Sequence, residues 1–261
     1  MTRSVRLLAV TLAALLAVAL APASPAHAGL TKASRACTSL VVVGLRGSGE
    51  AADSGSIRYF GQPASKAAKN MVSRIKRSGT YRYAGIPYDA KRVNPVTYGA
   101  SVADGVKLLT GVLRSIKKSC GTGTKFALIG YSQGAQVVRE SVAKLEQPVR
   151  AQIVAVGLIG DPKRRGYDQR PAEIGYNENF DRGTLAGSGK LGAGRTFEGL
   201  LKATKVASFC VKGDWICNDT VGTTWGQGWA TDWHTGFYNW DSSARTIGFG
   251  LYTRLVNNGF R

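Results

Sequence analysis

Histidine is nearly missing from this chain: His27 and His234 are the two in 261 residues. A histidine-built metal centre is therefore excluded, and any imidazole chemistry rests on very few candidates. Cysteine is sparse too. Cys37, Cys120, Cys210 and Cys217 contain no two close pairs, which disfavours a zinc module. Acidic side chains number 16 against 35 basic ones, a formal charge of +19. After the first 28 residues no apolar run is long enough to span a membrane, and no internal repeat recurs.

What is present at the start is an export signal. Arg3 and Arg6 precede the apolar run Leu7 to Leu20, then come Pro22, Pro25 and the triplet Ala26, His27, Ala28. This predicts a secretory signal peptide over residues 1–28, cleaved after Ala28, and hence an extracellular protein. Loss of Arg3 and Arg6 leaves a charge of about +17. Such a surplus reads either as a solvated cationic surface or as attraction to anionic wall polymers, lipid surfaces or acidic substrates. Nucleic acid is disfavoured, because the basic residues are scattered and no nucleic-acid module occurs. Residues 29–261 are long enough for one substantial domain and short for two.

Short apolar runs at Leu40 to Val43, Phe126 to Ile129 and Ile153 to Ile159 have the composition of buried parallel strands. "VASF", ahead of Cys210, reads as another. Helical spacing joins Val102, Val106, Leu109, Leu113 and Ile116, and again Ala135, Val138, Val142 and Leu145; a weaker helix follows Pro63 around Met71, Val72 and Ile75. Alternating strands and helices predict an α/β fold with a mainly parallel sheet covered on both faces. Four cysteines in an exported chain allow three pairings. Cys37 and Cys120 each sit just before a strand, and strand starts share one edge of a parallel sheet. That pairs Cys37 with Cys120 and Cys210 with Cys217, worth about 4.5 and 2.5 kcal/mol in the chain-entropy model.

The stretch 163–205 is rich in glycine and charge and has no sustained period, so it reads as a long surface excursion. Its "GSGK" lacks the spacing of a P-loop, and "GLRGSGE" lacks that of a dinucleotide site.

"GYSQG" places Ser132 between the strand "FALI" and a helix starting near Gln133. A Gly-x-Ser-x-Gly match alone is cheap in a glycine-rich chain, and a plain turn is the alternative. The strand–turn–helix setting is what a nucleophile elbow needs. A serine hydroxyl also needs a base, and His234 is the only imidazole left after cleavage. It lies in the Gly- and Trp-rich segment "TDWHTGFY", read as a loop. Asp214, inside the small ring "CVKGDWIC", is the candidate acid to orient His234. Asp161 in "IGDP" is the rival, with Asp219 behind it. The N–H groups of Gln133 and of Ser48, in "RGSGE" after the first strand, are candidate oxyanion donors, the Ser48 hydroxyl with them. A simple glycine turn is the competing reading of that stretch.

Taken together, "RGSGE", "GYSQGA", "GDP", the "C…GDWIC" ring and the following "H…FY" resemble the cutinase family of secreted serine esterases, over about Cys37 to Tyr238. The resemblance implies a three-layer α/β-hydrolase fold, catalytic Ser132, Asp214 and His234, an oxyanion hole from Ser48 and Gln133, and no metal or organic cofactor. It also implies carboxylic ester substrates: cutin, short-chain or lipid esters, or in a related branch acetylated xylan. An acetylxylan-type polysaccharide esterase is thus one alternative, and a non-catalytic wall-binding protein on a hydrolase scaffold another. Two departures stand out. The 163–205 excursion is long for the family, leaving open whether it is a lid. All five tryptophans, Trp215, Trp225, Trp229, Trp233 and Trp240, lie between Asp214 and the C-terminus, either lining a substrate surface or merely packing beneath the loops.

Overall fold

The computed structural model describes residues 37–52, 54–76, 81–165, 187–211, 213–219 and 230–260. The expected signal peptide, the middle of the 163–205 excursion, and Trp225 and Trp229 lie outside the described residues.

Five strands build one sheet: β1 (Leu40–Leu45), β2 (Tyr81–Gly85), β3 (Lys125–Tyr131), β4 (Ile153–Ile159) and β5 (Val206–Phe209). Their order is β2-β1-β3-β4-β5 and every pairing is parallel. β1 and β4 are buried along their whole length, because helices cover both faces, and both are continuous apolar runs for that reason.

Side-chain alternation splits the core. Val41, Val43 and Leu45 of β1 face one layer, made by α2 (Tyr98–Cys120) and α3 (Gln133–Lys144). Leu40 and Val42 face the other, made by α1 (Gln62–Val72) and the last helix, Asp241–Asn257. A register shift between Phe126 and Ala127 against β4 accompanies a break in alternation there: Ile153 and Val156 share a layer, as do Val154 and Ala155.

The strand order fixes where a site can form. β1 and β3 are neighbours, yet the chain leaves β1 towards the α1 layer and β3 towards the α3 layer. That divergence opens a crevice at their carboxyl ends, the switch point of a doubly wound sheet. The Cys37–Cys120 disulfide closes at the opposite, amino-terminal edge, with Cα atoms 5.4 Å apart. Cys210–Cys217 forms a seven-residue link directly after β5.

Two expectations change. His234 lies not in a loop but on a short helix, Ala230–Thr235. The helix expected to run past Met71 to Ile75 starts at Gln62, with Pro63 in its first turn, and ends at Val72.

Candidate active site

Ser132 occupies the first turn after β3 with φ 52° and ψ −118°, a conformation L-residues rarely adopt. Such strain costs about 1–3 kcal/mol and must be held by its surroundings. Here Ser132 N–H donates to Ile159 O of β4 at 2.8 Å, while Ser132 O accepts Ala135 N–H at 2.9 Å. Both flanking glycines are sterically required. A Cβ on Gly130 would lie 2.3 Å from Gly134 O, and one on Gly134 would lie 2.4 Å from Leu45 O. The elbow is therefore pressed between its own helix and the end of β1.

His234 Nε2 is 2.9 Å from Ser132 Oγ, and its Nδ1 is 2.9 Å from Asp214 Oδ2. The ionised carboxylate has no proton to give, so Nδ1 carries the hydrogen and Nε2 is left as acceptor for the serine hydroxyl. Asp214 is fully buried, within the ring closed by Cys210–Cys217. Its Oδ1 accepts Ile216 N–H at 2.9 Å, and its Oδ2 also accepts the Tyr238 hydroxyl at 2.7 Å. Tyr238 in turn accepts Val211 N–H at 3.1 Å. Burial, then the Asp214 charge, pushes the Tyr238 pKa well above 10, so it acts as a neutral donor.

Tyr131, the residue before Ser132, holds the other side of the imidazole. Its ring stacks on His234 with centroids 5.2 Å apart, and its hydroxyl donates to His234 O at 2.7 Å. Tyr131 and Tyr238 were given no role from sequence, although both lie inside the quoted segments "GYSQG" and "TDWHTGFY".

The turn after β1 sits against the elbow: a Cβ on Gly47 would come within 3.2 Å of the Ser132 Cβ. Glu50 locks that turn by accepting Gly47 N–H at 2.6 Å and Gln62 N–H at 3.0 Å. Ser48 Oγ is buried without a hydrogen-bond partner. Gln133, at the first position of α3, is wholly buried. Its backbone N–H belongs to the first turn, where no intrahelical acceptor exists.

Asp161 is brought close by sequence but committed elsewhere. It is fully buried, pairs with Arg139 Nε of α3 at 2.7 Å and accepts Lys163 N–H at 2.8 Å. Asp219 pairs with Lys190 at 2.9 Å. The described end of the 163–205 excursion is tied down by these same groups. Lys190 N–H donates to Ile216 O at 2.8 Å, and buried Arg164 donates to Cys217 O at 2.7 Å and to Gly187 O at 2.8 Å. These contacts brace the ring that carries Asp214. Trp233, next to His234 in the chain, and Trp240 are 44% and 55% exposed and pack with Phe237. These two indoles face solvent instead of filling space beneath a loop.

A parallel sheet wound in this order, layered by helices and carrying a serine elbow at its switch point, is an α/β-hydrolase. The family model described as Cutinase matches residues 36–240, and the chain belongs to the cutinase family. Among curated relatives, a cutinase of Monilinia fructicola is 30% identical over 130 residues, 49% of this chain and 59% of that protein. Cutinase cut1 of Trichoderma harzianum is 33% identical over 133 residues, 51% of this chain and 40% of that protein. The chain thus spans about half the length of the curated relatives it matches. Among solved structures, a cutinase-like protein from Cryptococcus sp. superposes with TM-score 0.59 at 17% identity, covering 85% of this chain and 95% of that one. The catalytic core domain of acetyl xylan esterase from Trichoderma reesei gives 0.57 at 18%, covering 83% and 100%. At such identities these structures speak to the fold.

Proposed function

We propose that this chain is a secreted serine esterase that hydrolyses carboxylic esters through Ser132, His234 and Asp214. The observation that carries the reading is the unbroken hydrogen-bond path from Ser132 Oγ through both ring nitrogens of His234 to Asp214 Oδ2. Ser132 Oγ attacks the ester carbonyl carbon while His234 Nε2 takes its proton. The carbonyl oxygen becomes the oxyanion, with the N–H of Gln133 and the N–H and hydroxyl of Ser48 as donors; each such donor is worth about 3 kcal/mol of barrier. His234 then returns the proton to the leaving alcohol as the C–O bond breaks. Water, deprotonated by the same nitrogen, releases the acyl group from Ser132. Asp214 keeps the Nδ1 proton in place and stabilises the imidazolium. Export is supported by the signal-like start and by two disulfides, which persist in oxidising compartments.

The exposed indoles of Trp233 and Trp240 favour a second reading of the alcohol: the hydroxyl of a sugar, as in acetylated polysaccharide, whose ring lies on these aromatic faces. A panel of aryl esters of increasing acyl length, run beside acetylated xylan, separates the two substrates. Fluorophosphonate labelling tests the catalytic reading itself. The wild-type protein should be modified and Ser132→Ala should not; an unlabelled wild type would leave a binding protein on a hydrolase scaffold.

A further inference from the structure

At the amino-terminal edge of the sheet, opposite Ser132, Arg150 stands three residues before β4 and Lys205 immediately before β5. With Lys202 they line an open pocket of about 370 Å³, whose wall also includes Gln147, Leu200 and Leu201. The turn carrying both lysines is fixed. Lys205 N–H donates to Lys202 O at 2.9 Å, and Asn258 takes Thr204 Oγ1–H at 3.1 Å and gives its own amide N–H to Thr204 O at 3.0 Å.

Among the described residues these cations gather without an ion-pair partner of their own: no carboxylate pairs with Arg150, Lys202 or Lys205. Glu146, whose carboxyl feels Arg150, is engaged through both oxygens by Arg114 Nε at 2.9 and 3.1 Å. Arg150 donates one guanidinium nitrogen to Leu145 O, while its Nε is buried with no partner. Burial lowers the Lys205 pKa, and repulsion from Lys202 and Lys125 lowers it further. Like charges gathered around a concave surface repel one another, and an anion seated among them relieves that repulsion.

We propose that Arg150, Lys202 and Lys205 form an anion-binding pocket for a phosphoryl group. Three cations match a group with up to two negative charges and three acceptor oxygens better than a carboxylate with one charge and two oxygens. Strands of this length separate the pocket from Ser132 by about 20 Å, so the anion and an ester do not compete. Protein held by this pocket would present its catalytic crevice away from whatever holds it. A free phosphate-type anion and a phospholipid headgroup share this chemistry.

The test titrates the mature chain with inorganic phosphate by calorimetry at constant ionic strength, with acetate as the competing anion. Vesicles of phosphatidylglycerol and of phosphatidylcholine are sedimented in parallel. The pocket variant is Lys202→Gln with Lys205→Gln; the exposed pair Lys107→Gln with Lys118→Gln removes the same charge elsewhere. Wild type and the charge-matched control should bind phosphate saturably, and the pocket variant about tenfold or more weakly, with hydrolysis of a soluble ester unchanged in all three. Pocket-dependent retention on phosphatidylglycerol identifies a lipid headgroup as the source, and phosphate binding without retention identifies a free anion. No saturable phosphate binding, acetate binding as tight, or equal weakening by the control pair would overturn the proposal.

Discussion

Tyr238 and His234 share one acceptor: the hydroxyl of the first, at 2.7 Å, and Nδ1 of the second, at 2.9 Å, both point at Asp214 Oδ2. A buried carboxylate with three donors on its two oxygens is fixed in direction, and that direction sets the imidazole facing Ser132. Tyr238→Phe deletes one neutral donor and leaves the ring's packing intact. A hydrogen bond to a charged group is worth about 1.5–3 kcal/mol, so kcat should fall by about 10- to 100-fold with KM little changed. Steady-state kinetics on a soluble ester checks this; an unaltered kcat would mean that His234 and Ile216 hold Asp214 unaided.

The two buried aspartates should fail in different ways. Asp214→Asn presents an amide to Nδ1 and favours the wrong tautomer, which predicts a loss in kcat of about 10⁴-fold in a folded protein. Asp161→Asn strands Arg139, 4% exposed, without its carboxylate. Breaking such a pair costs about 3–5 kcal/mol of stability, while the folded fraction should keep its turnover. Denaturant unfolding beside kinetics separates them. A larger kcat loss from Asp161→Asn would transfer the orienting role to Asp161.

Alkaline pH should unfold the protein through its buried tyrosines. Burial raises the Tyr83 pKa to about 12 and drives those of Tyr88, Tyr98, Tyr131 and Tyr238 further up. Below pH 10 both folded and unfolded states hold these protons. Above it the unfolded chain releases them while the folded one retains them, so stability falls as pH rises, by about 1.4 kcal/mol per pH unit for each of buried Tyr88, Tyr131 and Tyr238 and by less for the partly exposed Tyr83 and Tyr98. Stability measured across pH 9 to 11.5 should drop steeply past pH 10, with a distinct rise in tyrosinate absorbance that coincides with unfolding. A flat profile would show these hydroxyls to be freely titratable.

The sheet and the hydrogen-bonded set of Ser132, His234 and Asp214 were legible because each rests on a local pattern. Continuous apolar runs announced β1, β3 and β4, and a scarcity of histidine singled out His234. β2 was missed because it is an edge strand: Tyr81, Arg82 and Tyr83 are half-buried, and their mixed polarity gives no run. The helix Asp241–Asn257 was missed although Ile247, Leu251 and Leu255 recur every four residues. Gly248 and Gly250 interrupt it, and Gly248 is there because the helix crosses α1, where a Cβ would lie 2.5 Å from the Asn70 Cβ. Tyr131 and Tyr238 escaped because their roles depend on which face of the imidazole they meet, a tertiary fact that spacing does not encode. The basic pocket joins Arg150 to Lys202 and Lys205 only once β4 and β5 lie side by side.

The two disulfides offer the sharpest separation of stability from catalysis, since they lie at opposite edges of the sheet. Cys37–Cys120 closes a link of 83 residues far from Ser132, so Cys37→Ser with Cys120→Ser should cost about 4.5 kcal/mol on the chain-entropy account and leave kcat of the folded protein alone. Cys210–Cys217 spans seven residues, worth about 2.5 kcal/mol, yet it encloses Asp214. Releasing it frees the backbone on which Ile216 N–H meets Asp214 Oδ1, and the carboxylate then no longer points at Nδ1 with one orientation. The Cys210→Ser, Cys217→Ser protein should therefore be the more stable of the two variants and the slower enzyme, with kcat falling towards that of Asp214→Asn. Unfolding midpoints and kcat measured on both double variants give the comparison. If activity instead tracks stability alone, the small ring is only a staple, and Asp214 is held by Tyr238, Ile216 and the Arg164 brace.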